Sequence, residues 1–255
     1  MSLAGFQLIR TDLLDRLLQA LPARGDLEFL SAMPRETVPK ILDYLKYSKS
    51  QLRQDLFVLS HLNFRQKGYF VEFGAASGVE LSNTYLLEKH FGWTGILSEP
   101  ARTWKDSLLS NRQCIVDTSC IWSSSGEELE FSQARAPELS TLSSFKDADL
   151  HKRERSASTV YRVSTTSLTD LLARHSAPTV IDYLSIDTEG SEFEILEAFD
   201  FERYKFRVIT CEHNFTQNRE GIDRLLSLHG YQRVYREVSH FDDWFVNSEL
   251  EELDG

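Results

Sequence analysis

The stretch Gly68-Tyr69-Phe70-Val71-Glu72-Phe73-Gly74-Ala75-Ala76-Ser77-Gly78 sets an apolar run, an acidic residue and a glycine-bounded turn in direct succession. Glycines let backbone pass close to a ligand, and a helix after such a turn aims its free N–H groups into the cleft. Positions 76 and 79 are Ala and Val, so the loop departs from the G-x-G-x-x-G pattern that meets a dinucleotide pyrophosphate. A carboxylate at Glu72 repels pyrophosphate and suits a cationic ligand, and S-adenosylmethionine, with a sulfonium and an ammonium group, is such a ligand. Glu72, Gly74, Ala75, Ser77 and Gly78 are the candidate cradle. Glu99 follows Gly78 by 21 residues, close to the spacing of about 20 at which an acidic side chain reaches ribose hydroxyls. Pro100 then ends the strand, because it brings no N–H to a ladder.

A third group is the densest in charge. Asp187, Glu189 and Glu192 follow the apolar run Val180–Ile186, and no Lys or Arg lies between Arg174 and Arg203. Clustered carboxylates raise one another's pKa and attract cations, an arrangement that concentrates at functional sites. Glu192 and Glu194 are also favoured by the dipole of a helix starting there, an explanation that does not reach Asp187. One strand later, Cys211-Glu212-His213-Asn214 supplies the remaining titratable and amide groups. His240, Asp242 and Asp243 fall in the last turn, where solvation is the default reading and substrate contact the second.

The elements that must carry these residues are legible from periodicity. Strands are expected near 69–73, 95–98, 113–117, 181–187, 206–212, 231–237 and 243–247, with helices near 79–91, 101–111, 167–175, 190–198 and 217–229. Alternation of strand and helix predicts a parallel α/β sheet, and the last two strands leave no room for a crossover, so one runs antiparallel. Residues 1–65 differ. Leu13, Leu14, Leu17, Leu18 and Leu21 space an amphipathic helix over Phe6–Leu21, and further helices are expected over 38–49 and 51–63. The expected organisation is an N-terminal helical extension, 1–65, before a Rossmann-like α/β domain, 66–255. Gln133–Val160 has no clear period beyond a strand-like Glu128–Phe131 and reads as a lid over the substrate.

Composition narrows the partners. A net charge of −11, from 39 acidic against 28 basic residues, argues against a nucleic-acid or anionic-membrane surface. Three cysteines without a C-x-x-C pair point to a reducing, cytoplasmic setting and away from structural zinc. No apolar stretch is long enough for a membrane span, and the charged start is no signal peptide.

Residues 68–84, Gly-Ile-Leu-Ser-Glu-Pro (95–100) and Asp-Tyr-Leu-Ser-Ile-Asp-Thr-Glu-Gly-Ser-Glu-Phe-Glu-Ile-Leu (182–196) together resemble FkbM-family S-adenosylmethionine-dependent methyltransferases, over about residues 66–248. The resemblance implies the seven-stranded class I methyltransferase sheet and O-methylation of a small-molecule hydroxyl, on a sugar or natural product. By position, Glu72, Gly74 and Ser77 would line the methionine moiety and Glu99 the ribose. Asp117 or its neighbours would meet the adenine end, and Asp187 would stand beside the methyl group. Many members have Asp at 72 and Asn at 77; Glu and Ser keep the chemistry, with a shorter reach at Ser77.

A hydroxyl acceptor has to lose its proton, so a base or metal belongs near the methyl group. The resemblance to metal-dependent O-methyltransferases implies a magnesium-type ion held by Asp187, Glu212 and Asn214. The metal-free alternative uses His213 as general base. Two other function classes stand beside this one: a nicotinamide-dependent oxidoreductase, disfavoured by Glu72 and the missing middle glycine, and a non-catalytic binding or trafficking module that keeps the fold. Residues 1–65 would cap the pocket or form a homodimer contact.

Overall fold

The computed structural model describes residues 24–137, 140–145, 158–215 and 218–250. The expected helix Phe6–Leu21 lies outside the described residues, as does much of the expected lid.

The main sheet has seven strands. In chain order they are β1 (Tyr69–Phe73), β2 (Thr94–Ser98), β3 (Ile115–Asp117), β8 (Val180–Ile186), β9 (Lys205–Glu212), β10 (Tyr231–Val234) and β11 (Asp242–Asn247). Their spatial order is β10-β11-β9-β8-β1-β2-β3. Only β11 runs against its neighbours, pairing antiparallel with both β9 and β10, as the short β10–β11 connection requires. The central strands are largely apolar and buried because both faces are covered. Val71 and Phe73 of β1 join one core with α6 (Leu168–Arg174), α7 (Glu192–Glu197) and α8 (Arg219–Leu228). Phe70, just before Val71, points into a second core with α4 (Tyr85–Phe91) and α5 (Lys105–Asn111).

Three helical segments precede β1: α1 over 24–32, α2 (Val38–Tyr44) and α3 (Gln54–His61). They do not form a separate body among the described residues. Phe29, Met33, Ile41 and the Leu56–Leu59 stretch share the second core with Leu97, Tyr183 and Trp244. The Phe57 ring stacks on the Trp244 ring at 4.6 Å between centroids. The sequence boundary at 65 therefore marks a change of pattern and not a gap in packing.

A second, four-stranded sheet, β4-β7-β5-β6, is inserted between β3 and α6. It comprises β4 (Cys120–Trp122), β5 (Glu128–Gln133), β6 (Thr141–Leu142) and β7 (Thr159–Ser167). Sequence reading anticipated only the β5 segment. Gln133–Val160 was expected to be irregular, yet β6 lies inside it and β7 begins at its end; residues 138–139 and 146–157 lie outside the described residues. The small sheet has its own core of Cys120, Phe131, Leu142 and Val163.

Two glycines fix the close approach of the central strands. A Cβ on Gly95 would sit 2.1 Å from the Phe70 carbonyl oxygen, and one on Gly74 only 1.9 Å from the Asp187 carbonyl oxygen. Gly74 also holds φ +73, a conformation that costs other residues energy. The turn after β1 can thus press directly on the turn after β8.

Candidate active site

The loops after β1, β2, β8 and β9 open at the same edge of the sheet, where ligands of open α/β sheets bind. Two cavities meet there and share Gly74, Asp187 and Glu189. The smaller, about 40 Å³, lies under the second sheet and is walled by Ser98, Glu99, Pro100, Cys120, Phe131 and Leu142. The larger, about 370 Å³, is lined by Ala76, Asn83, Thr210, Glu212, Asn214 and Asp242, with Gln51 and Gln54 from the segment before β1.

The β1 loop is built differently from the expected strand–turn–helix. Helix α4 begins at Tyr85, not near Val79, so residues 74–84 form a long loop whose free N–H groups are not those of a helix end. Glu72 organises it. The carboxyl group of Glu72 accepts the Asn83 N–H at 2.7 Å and the Ser82 hydroxyl at 3.0 Å, and also accepts the Thr84 hydroxyl. Arg112, its side chain wholly buried, donates to Glu88 at 2.9 Å, the Gly78 carbonyl at 3.1 Å and Thr84 at 2.9 Å. Glu88 in turn is held down to about 2; burial opposes this, and the Arg112 charge is the largest of the effects that overcome it. Glu72 is 2% exposed and lines neither cavity. In this structure Glu72 is a clamp on the loop that makes the wall.

Other expected cradle residues divide in the same way. Gly74 lines both cavities, and Ala76, which sequence reading passed over, lines the larger one. Ala75 is buried in the second core. Ser77 gives its carbonyl oxygen to Asn111, and Gly78 gives its own to Arg112; none of these three lines either cavity. Asp117 is likewise engaged elsewhere, by Arg174 at 3.1 Å and His175 at 2.8 Å. Its neighbours Thr118 and Ser119 line a third recess, of about 520 Å³ and more open than the other two, that also borders Glu99 and Pro100.

Glu99 meets its expectation of standing at the β2 tip. Its two oxygens accept the Ala76 N–H at 3.1 Å and the Ala101 N–H at 2.7 Å, binding the first two loops together. Burial pushes its carboxyl up to about 7, with those two N–H groups opposing.

Around Asp187 the carboxylates converge. Oxygens of Asp187, Glu189 and Glu212 all lie within 4.8 Å of one another. Burial, then the charges of Asp187 and Glu189, hold Glu212 well above the ordinary carboxylate range. Glu189 has φ +61, a strained conformation for a non-glycine residue. The strain is held from outside: the Thr141 hydroxyl of β6 donates to the Glu189 carbonyl at 3.0 Å. Asn214 donates its amide N–H to Glu212 at 2.8 Å and to Glu189 at 3.4 Å, so it reaches the expected cluster, with its nitrogen toward the carboxylates. Glu192 leaves the cluster. Its Oε1 accepts N–H groups of Thr188 at 2.9 Å and Gly190 at 3.1 Å, and it closes the loop.

His213 does not face the cavity. Its Nδ1 accepts the Phe215 N–H at 3.0 Å and its Nε2 lies 3.7 Å from Asp243, which Arg219 also holds. Successive residues of a strand point to opposite sides, so Glu212 and His213 cannot share one point. Burial lowers the His213 pKa. The same alternation separates Asp243 from Asp242. Asp242, expected to be a solvated turn residue, is 3% exposed and lines the larger cavity; His240 remains in solvent.

The larger cavity fits a ligand that brings cations and hydroxyl donors. Its described lining holds Asp187, Glu189, Glu212 and Asp242 and no Lys or Arg. Asn83 Oδ1 is buried there without a hydrogen-bond partner.

Residues 72–251 match the family profile described as the methyltransferase FkbM domain. No curated protein sequence matches the chain. Among solved structures, a precorrin-6y C5,15-methyltransferase from Geobacter metallireducens is 13% identical, with 75% of this chain and 85% of that chain covered and a TM-score of 0.40. A human methyltransferase 10 domain containing protein is 12% identical, covering 77% and 81%, TM-score 0.38. A SAM-dependent methyltransferase from Aquifex aeolicus is 9% identical, covering 81% and 95%, TM-score 0.38.

Proposed function

This chain belongs to the FkbM methyltransferase family, and on that premise we propose that it is an S-adenosylmethionine-dependent O-methyltransferase acting on a small hydroxyl compound, a sugar or natural product. The observation that carries the reading is the position of Asp187: it borders both cavities, beside Gly74, with Glu212 opposite. The donor supplies a methyl group already activated on a positive sulfur, so the protein's share is alignment and proton removal.

The residues that would hold the donor are Gly74 and Ala76 of the first loop, Asp187 for its positive groups and Glu99 for the ribose hydroxyls. The edge formed by Pro100, Thr118 and Ser119 suits the adenine end. Glu212 and Asp187 orient the acceptor hydroxyl and take its proton. Leu81, Phe215 and Phe241 wall the larger cavity against water.

A divalent cation is a second reading of the carboxylates, favoured by the convergence of three ligand oxygens within 4.8 Å. Asp187, Glu189 and Glu212 would hold such an ion, which would lower the pKa of the acceptor hydroxyl.

The test is transfer of a labelled methyl group from S-adenosylmethionine to a metabolite extract, with product identified by mass spectrometry and repeated in EDTA. A labelled methyl ether supports the proposal. Label on carbon or nitrogen alone removes the O-methyl reading, and activity undiminished by EDTA removes the metal.

A further inference from the structure

The family match begins at residue 72, yet the larger cavity is not complete without residues before it: Gln51 and Gln54 form part of its wall. Gln54, at the start of α3, is 4% exposed. Its Oε1 accepts the Leu52 N–H at 3.0 Å, which fixes the amide, and its Nε2 donates to Asp242 Oδ2 at 3.0 Å. The Trp244 indole N–H reaches the same oxygen at 3.1 Å. Both donors to the Asp242 side chain thus converge on Oδ2, and both are neutral. Asp242 is a buried carboxyl without a cationic partner, on the wall of a cavity, with Oδ1 left for what enters it. A buried carboxylate in that state is costly until an opposite charge arrives. Asn83 lines the same cavity, and its Oδ1 is buried without a hydrogen-bond partner among the described residues. The donor that meets Asp242 Oδ1 and also offsets a buried negative charge is a positively charged nitrogen.

We propose that Asp242, held by Gln54, is an acceptor-recognition subsite for a protonated amine, so that the methyl acceptor is an amino alcohol, such as an amino sugar, in preference to a neutral or anionic hydroxyl compound. The inference rests on the methyltransferase reading of the same cavity. Phosphate- or carboxylate-bearing acceptors are rejected because the described lining offers them no Lys or Arg. Gln54 lies before the family match and Asp242 within it, so the subsite joins the N-terminal segment to the matched domain.

The experiment titrates the full chain, with adenosylhomocysteine bound, with glucosamine, glucose, N-acetylglucosamine and glucuronate, four compounds on one frame that differ in charge. Charge-assisted hydrogen bonding predicts binding of glucosamine on the order of tenfold tighter than glucose or N-acetylglucosamine, and glucuronate weakest. In Asp242→Asn, whose amide oxygen still accepts from Gln54 and Trp244, glucosamine falls to the level of glucose while adenosylhomocysteine binding persists. Equal binding of the four by the native chain, or binding of none, overturns the proposal without needing the variant. Failure of adenosylhomocysteine itself to bind is the distinct result that sinks the methyltransferase reading beneath it.

Discussion

Glu99 and Asp242 carry protons in the folded protein that they would lose in the unfolded chain. Burial pushes them up to about 7 and about 8 from ordinary values of 4.5 and 3.8. Above pH 6.5 the unfolded chain binds fewer protons at these positions than the native one, so stability falls as pH rises through 7 and 8. The contribution of His213, whose pKa burial lowers from 6.5, has the opposite sign but is complete above that pH. Thermal unfolding of the ligand-free protein is expected to show about 1–2 kcal/mol less stability at pH 8 than at pH 6.5, and a rise over that range would contradict the assignment. At the reacting centre, Glu212→Gln is expected to lower methyl transfer by about 10²–10⁴-fold with adenosylhomocysteine affinity unchanged, read by single-turnover kinetics beside calorimetry. Asp187 and Glu99 were legible because a carboxylate at the tip of an apolar strand has few structural uses. The clamp made by Glu72 was hidden for a local reason: the donors that claim it, Ser82, Asn83 and Thr84, sit in a segment whose spacing reads as helix.

At the scale of elements, the site depends on how closely the β1 and β8 turns approach. Gly74→Ala would drive a methyl group against the Asp187 carbonyl in a left-handed conformation. The expected cost is about 3 kcal/mol or more, and a Tm within a degree or two of the native protein would contradict this packing. The main-sheet strands were readable within a residue or two, except that the one expected over 231–237 ends at Val234, because apolar runs buried on both faces leave little choice. The second sheet was not. β7 spells Thr-Val-Tyr-Arg-Val-Ser-Thr-Thr-Ser, half-exposed and polar, and its stability comes from pairing with β5 about thirty residues earlier, from Glu128↔Ser164 to Gln133↔Thr159. No local period reports such pairing. β6, two residues long, reveals itself only through Thr141, which holds the Glu189 turn.

Over the whole molecule, one antiparallel strand followed from the short last connection, and the family from the runs at 68–84, 95–100 and 182–196. The role of the N-terminal segment did not, because helical periodicity says which face is apolar but not what covers it. The structure answers with Phe57 on Trp244 and Gln54 on Asp242, contacts from α3 to the far end of the chain. Phe57→Ala is expected to cost about 3–5 kcal/mol, roughly 10 °C in Tm, although the residue precedes the family match. Among the described residues no helix is long and apolar enough to cross a membrane. The central claim, that the acidic crevice between the β1, β2 and β8 tips holds the methyl donor, is tested most directly by calorimetric titration of adenosylhomocysteine into the native chain and Glu99→Ala. The account predicts saturable binding at one site in the native chain and its loss in the folded variant; absence of binding to the native chain, or equal affinity in both, would contradict it.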